Sequence, residues 1–177
     1  MARTVNVGSE AVSNGVFEPA PAGTKVRAAV FEVEETTVKT QTSENFGKDQ
    51  LVVTVKILDD FIFQGSDGKP QNLRGREVRY NNVPLYAGKS GWQLAAFGEA
   101  VGWPVDADGN VVIPDEGQVA SATQGREIVV QLGIRTQQSN GKQFNTVSRW
   151  LPANSKTSAS GATAATGGDS GGGNPWA

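Results

Sequence analysis

Residues 125–152 have the sequence GREIVVQLGIRTQQSNGKQFNTVSRWLP, and this stretch decides the fold class. Its first half places apolar residues at every second position, which is typical of a half-buried β-strand. The alternating residues are Ile128, Val130, Leu132 and Ile134. Asn140 and Gly141 follow, and this pair favours a two-residue hairpin turn. We therefore expect residues 143–151 to form a second strand that pairs antiparallel with the first.

Further strands are expected upstream of this hairpin. Residues 51–57 repeat the alternation of apolar residues, and residues 25–33 and 76–83 are less regular but still rich in strand-forming residues. Turn-forming residues, such as Asp67 and Gly68, separate these stretches. The sequence thus predicts five strands in total.

One segment departs from the strand pattern. Ser90 is a good N-cap residue for a helix that runs through the apolar residues 92–101, with Gly102 at its end and Pro104 beyond. Five antiparallel strands with a helix between the third and the fourth match the OB-fold, a small Greek-key barrel. We expect a mainly β protein with a five-stranded OB-like antiparallel barrel and one short helix, and a β-sandwich with an intruding helix is the alternative.

The C-terminal residues 153–177 are nearly all Gly, Ala, Ser and Thr. Such a segment cannot bury enough apolar surface to offset the entropy of ordering it, so we expect a disordered tail. Pro175 and Trp176 break the pattern at its end, and we expect them to form a partner-binding tip. The predicted organisation is a flexible arm over 1–15, an OB-like domain over 16–152 and the tail over 153–177.

The composition argues against catalysis. Cys and His are both absent, so the chain has no imidazole base, no thiol nucleophile and none of the commonest zinc ligands. We therefore expect no enzyme activity, no catalytic residue, no cofactor and no metal. No stretch resembles a signal peptide or a membrane span, which predicts a soluble, cytoplasmic protein with no membrane partner.

Charge is unevenly distributed along a chain whose formal net charge is only −2. Residues 69–89 carry five bases and one acid, residues 99–116 carry five acids and no base, and residues 126–149 carry four bases and one acid. Aromatic residues accompany both basic segments. Proteins that bind single-stranded nucleic acids combine cations for the phosphates with rings on which bases stack, so the pattern predicts this class of ligand.

The predicted nucleic-acid-binding residues are the cations and rings of these segments and their neighbours. They are Lys56, Phe61, Lys69, Arg74, Arg76, Arg79, Tyr80, Arg135, Lys142, Phe144, Arg149 and Trp150. Core packing is the alternative for each ring, and a solvated surface is the alternative for the arginines. Phe144 and Trp150 lie at an even offset on the last strand, so we expect them on the same face.

Residues 16–152 resemble a phage family of single-stranded-DNA-binding, recombination-associated proteins, long described only as of unknown function. The resemblance rests on four short phrases in this order. They are FEPAPAGTKVRAAV (17–30), LRGREVRYNNVPL (73–85), WQLAAFGEAVGWP (92–104) and residues 125–152. It implies a protein that coats single-stranded DNA in phage replication or recombination, in the cytoplasm of the bacterial host. Replication or recombination proteins bound through the tip, and a homo-oligomer, are the further partners expected.

The competing class is structural. Phage decoration and tail-associated proteins are also small, rich in β-strands, free of Cys and rich in Gly, Ala and Thr at their ends. They have no need for cations interleaved with aromatic rings, and this feature favours the DNA-binding interpretation.

Overall fold

A computed structural model describes residues 17–86, 88 and 91–160 of the chain. Its strands are β1 (Lys25–Thr37), β2 (Asp49–Ile57), β3 (Ile62–Gln64), β4 (Pro70–Asn72), β5 (Glu77–Pro84), β6 (Glu127–Thr136) and β7 (Gln143–Leu151). The helices of this part of the chain are α1 (Gly91–Val101) and α2 (Val119–Thr123). The five predicted strands and the predicted helix are confirmed, whereas the small β3–β4 hairpin and α2 were not predicted.

The long strands form one antiparallel five-stranded sheet in the order β5-β2-β1-β6-β7. Within the described residues no backbone ladder joins the outer strands β5 and β7, so the sheet is not closed into the predicted barrel. A side-chain hydrogen bond links these two strands instead. Asn81 Oδ1 of β5 accepts this bond from Val147 N of β7 at 2.9 Å. The protein is therefore mainly β, with an open antiparallel sheet.

The core lies on the inner face of this sheet, under α1. Alternate residues of β1, β2 and β6 are fully buried there, as the period of two predicts. Phe97 of α1 packs edge-on against Trp103 and Trp150, with ring centroids 5.3 and 4.9 Å apart. The helix thus covers one end of the core and fixes the side of the sheet that remains open to solvent.

The hairpin between β6 and β7 has a longer loop than the sequence predicts. Gln137 N bonds Lys142 O at 2.8 Å, which leaves residues 138–141 outside the ladder instead of Asn140 and Gly141 alone. Asn140 Oδ1 accepts a hydrogen bond from Lys142 N at 2.9 Å, and Gly141 has a φ of 69°. The Asn-Gly pair therefore closes a wider loop, and the two-residue turn was a wrong prediction.

Three β-bulges interrupt the sheet. In β1, Phe31 is the extra residue between the pairs Val30↔Val55 and Glu32↔Thr54. The bulge of β5 holds two residues, Arg79 and Tyr80, opposite Thr54. The third bulge is at Ser148 of β7, between the pairs Gln131↔Arg149 and Leu132↔Val147.

The bulge at Ser148 overturns the expectation that Phe144 and Trp150 share a face. Trp150 pairs with the buried Val130, and Phe144 pairs with the exposed Arg135. Cross-strand partners point to the same side, and one extra residue reverses the alternation of all residues beyond it. Trp150 therefore lies in the core, and Phe144 lies on the outer face.

The C-terminal segment up to Ser160 is hydrogen-bonded to β1 and β3, beyond the predicted start of the tail at residue 153. Ser158 N donates to Lys25 O at 2.8 Å, and Lys25 N donates to Ser158 Oγ at 2.9 Å. Ile62 N donates to Ser160 Oγ at 2.9 Å. The arm over 1–15 and the tip at Pro175 and Trp176 lie outside the described residues.

Candidate nucleic-acid interface

A groove of about 1300 Å³ lies between β5 and the β6–β7 hairpin. We call it the arginine groove. Its cations and aromatic rings are Phe17, Arg74, Arg76, Arg79, Tyr80, Arg135 and Phe144. Six of these seven residues were predicted from the sequence, from two segments that lie more than fifty positions apart. The sheet order brings β5 and β7 to opposite edges, and the curvature that lets Asn81 reach Val147 draws these edges together.

Arg135 is an exposed cation of the arginine groove. It is exposed on β6, and its cross-strand partner is Phe144 of β7. In the described part of the chain the ion pairs involve Arg27, Arg74 and Arg79, so Arg135 makes none. A guanidinium without a carboxylate partner, beside a half-exposed ring, is suited to bind a phosphate next to a stacked base.

Arg79 and Arg74 are also exposed, but each contacts an acid. Arg79 Nε donates to Glu77 Oε2 at 2.7 Å, and this hydrogen bond raises the pKa of Arg79. Arg74 lies 2.7 Å from Asp60, and hydrogen bonds from Asn72 and Arg74 lower the pKa of the Asp60 carboxyl. Such exposed pairs are weak, so a phosphate can compete for either arginine.

Arg76 has a structural role. Its guanidinium lies 4.4 Å from the Phe17 ring centroid and donates to Glu18 O and Gln71 Oε1, both at 2.7 Å. Burial lowers its pKa to about 10, and its Nε is buried without a hydrogen-bond partner. Because these contacts hold residues 17–18 against β4 and β5, Arg76 shapes one wall of the groove, with little of its charge offered to solvent.

Tyr80 is the most exposed aromatic residue of the groove, with 71% of its surface accessible. Its φ of 63° lies in the left-handed region, which non-glycine residues rarely adopt. The next residue, Asn81, holds this bulge in place: its Nδ2 donates to Val53 O at 3.0 Å and to Val78 O at 2.9 Å. The sequence therefore maintains a costly backbone conformation that directs a ring into solvent.

Phe61 and Trp150 are not part of the interface. Phe61 is 1% exposed and Trp150 is 6% exposed, and both belong to the core cluster. Neither presents a ring face on which a base can stack. For these two residues the alternative of core packing is correct.

Four predicted cations are exposed but lie outside the arginine groove. Lys69 follows the turn between β3 and β4, Lys142 lies in the β6–β7 loop, and Arg149 lies near the end of β7. Lys56 lies on β2 and lines a different cavity with Arg27 and Arg74. Only some of the predicted nucleic-acid-binding residues therefore lie in the arginine groove.

Phe17 and Asn81 were missed by sequence reasoning. Phe17 precedes the first strand by several residues, and its contact with Arg76 depends on chain folding that no local pattern reveals. Asn81 interrupts the alternation of β5 with a buried amide, 6% exposed. A polar residue at an expected core position is the signal that could have identified it.

Within residues 17–86, 88 and 91–160, no group of three or more acidic side chains is arranged to hold a metal ion. The helices of the same residues include none with the length and apolar character needed to cross a membrane.

Comparison with known proteins identifies a family for this chain. No curated protein sequence matches the chain at a significant level. A family model described as "Protein of unknown function (DUF669)" matches residues 5–162, which include every described strand and helix. Since the match covers most of the sequence, the chain belongs to the DUF669 family.

Proposed function

We propose that this protein binds single-stranded DNA in the arginine groove, without catalysis, during phage DNA replication or recombination. The observation that carries the proposal is the convergence of Arg79, Tyr80, Arg135 and Phe144, from two distant basic segments, on one groove. Arg79 and Arg135 would bind phosphates, and Tyr80 and Phe144 would stack with bases. Stacking on these rings requires unpaired bases, which favours a single strand over a duplex.

The strand order supports an OB-like interpretation of the fold. A helix-containing segment separates β5 from β6, so the sheet strands in chain order are β1, β2, β5, β6 and β7. In OB-folds, the face of the second and third strands and the loop between the last two strands bind oligonucleotides. Here β5 is the third of these strands, and the β6–β7 loop joins the last two. Both β5 and the β6–β7 hairpin form walls of the arginine groove.

The partners proposed here are single-stranded DNA and, through Pro175 and Trp176, replication or recombination proteins of the host cytoplasm. A decoration or tail-associated role in the phage particle is the competing proposal. A structural role does not explain why Tyr80 and Arg135 are exposed in one groove. A test of DNA binding by the purified protein distinguishes the two proposals.

The test is a fluorescence titration of purified protein with labelled oligo(dT) at two salt concentrations. We expect binding that weakens with salt, because phosphate contacts release counterions; two to four contacts give a slope of log K against log salt of roughly −1 to −3. A duplex of the same length is the control and should bind more weakly. Equal affinity for the duplex, or no binding at low salt, would refute the proposal.

A further inference from the structure

A second groove lies on the outer face of β1, β2 and β5, with a volume of about 290 Å³. We call it the aromatic cleft. Val52 and Thr54 of β2 form its floor, and Phe31 and Tyr80 stand on either side. Phe31 is 49% exposed, although it lies within a strand whose neighbouring residues Val30 and Val33 are buried. The sequence had not indicated any role for Phe31.

Both rings of the cleft are presented by β-bulges. Phe31 is the extra residue of β1, and Tyr80 belongs to the bulge of β5, and both bulges lie opposite Thr54. A bulged residue is displaced from the regular pleat, so its side chain is re-aimed away from the row of its neighbours. Two independent bulges that aim rings at one cleft indicate a site for a flat, apolar group.

The aromatic cleft continues the arginine groove. Arg79 and Tyr80 line both, so a ligand that passes over Tyr80 moves from one to the other without leaving the protein surface. At Phe31 the cationic group is Lys56, whose Nζ lies 5.4 Å from the ring centroid. Because Lys56 lies over the ring, a base that stacks on this face displaces the ammonium group, which is then beside the base for its phosphate.

Acidic residues also line the cleft. Glu32 and Glu34 are exposed and lie beside the floor, as cross-strand partners of Thr54 and Val52, while Glu77 is paired with Arg79. Free carboxylates repel phosphates, which confines a nucleic-acid backbone to the side of Lys56 and Arg79.

We propose that the bound single strand leaves the arginine groove over Tyr80 and places a further base on Phe31, with its phosphate near Lys56. This inference rests on the proposed function and extends its binding site by at least one nucleotide. Phe31 is then a stacking residue, and the bulge of β1 is the device that presents it.

The experiment compares three variants in titrations with oligo(dT) of about 20 nucleotides, longer than the usual site of a single OB-fold. Phe31→Ala should weaken binding roughly 5- to 150-fold, the range of one lost stacking contact. Phe31→Tyr keeps the ring and should bind like the wild type. The matched control is Phe46→Ala, since Phe46 is 55% exposed in the β1–β2 loop and lines neither groove.

Thermal unfolding of each variant verifies that the fold is intact, as expected for substitutions at half-exposed rings. If Phe31→Ala binds normally while Phe144→Ala loses affinity, the strand does not reach the cleft, and the inference fails although the proposed function stands. Loss of affinity in Phe46→Ala to the same extent also refutes it. If Phe31→Ala leaves DNA binding unchanged but abolishes binding of an Arg-rich peptide, the cleft serves a cationic partner and the inference is wrong.

Discussion

Asn81 of β5 and Val147 of β7 are joined by a single hydrogen bond of 2.9 Å from the Val147 backbone N–H to the Asn81 side chain. The side-chain amide of Asn81 donates its two protons to Val53 O and Val78 O. One buried amide thus links three strands, sustains the bulge at Tyr80 and holds together the two edges between which the arginine groove lies. The geometry of the groove depends on this side chain.

Asn81→Asp should destabilise the protein at neutral pH. The substitution keeps an acceptor for Val147 N, but it removes both donors and places a carboxylate against two carbonyl oxygens, at an expected cost of about 2–4 kcal/mol. Burial raises the pKa of the introduced carboxyl, so the deficit should shrink as the pH falls through that pKa and the carboxyl becomes neutral. Urea denaturation at pH 7 and pH 5 measures both effects; a deficit that grows on acidification contradicts the assignment.

Tyr80→Gly should separate stability from binding. Glycine adopts a φ of 63° without steric cost, and this gain offsets the flexibility that glycine adds to the unfolded chain, so the free energy of unfolding should change by less than about 1 kcal/mol. Affinity for oligo(dT) should fall by about 1–3 kcal/mol. The control is Asn82→Gly in the same strand, which should lose about 0.5–1 kcal/mol of stability and no affinity. If Tyr80→Gly unfolds markedly more easily, the ring has a structural role.

Arg135→Ala and Arg149→Ala form a matched pair on the last hairpin. Both residues are exposed, but only Arg135 lines the arginine groove. We expect Arg135→Ala to weaken DNA binding and to reduce the steepness of the salt dependence by roughly one phosphate contact, and Arg149→Ala to change neither. Equal losses in the two variants would mean that binding responds only to net charge.

Phe144→Ala and Trp150→Ala should have opposite consequences, since the bulge at Ser148 places the two rings on different faces. Trp150 packs against Phe97 in the core, so its removal should destabilise the fold by roughly 3–5 kcal/mol. Removal of the half-buried Phe144 should instead reduce the affinity for oligo(dT), with a smaller loss of stability. Denaturation and titration of both variants test this assignment; a folded Trp150→Ala with impaired DNA binding reverses it.

The regular elements were predictable because they depend on local patterns. The alternation in β2 and β6 and the capping signals around α1 are each visible within about ten residues of sequence. Bulges are different, because an extra residue such as Ser148 shows itself only in how two strands pair. The wrong prediction that Phe144 and Trp150 share a face follows from this limit.

The candidate site was predictable in composition but only partly in arrangement. Basic and aromatic residues marked two segments that both line the arginine groove, yet Arg76 and Arg135 look equivalent in the sequence and differ in burial. Arg76 is half-buried, and Phe17 packs on its guanidinium in a contact between residues that are far apart in the chain. The exposure of Phe31 was not predictable, because a single Phe in a strand has the same local pattern as a core residue.

The contact between Ser158 and Lys25 spans 133 residues. During synthesis on the ribosome, the backbone groups of Lys25 emerge early, whereas their partner on this side emerges only after all of β7. The beginning of β1 therefore stays unpaired on that side through most of translation, and unpaired strand edges of this kind promote association between chains. The pairing of this end of β1 is thus a late event of biogenesis, which Ser158 completes.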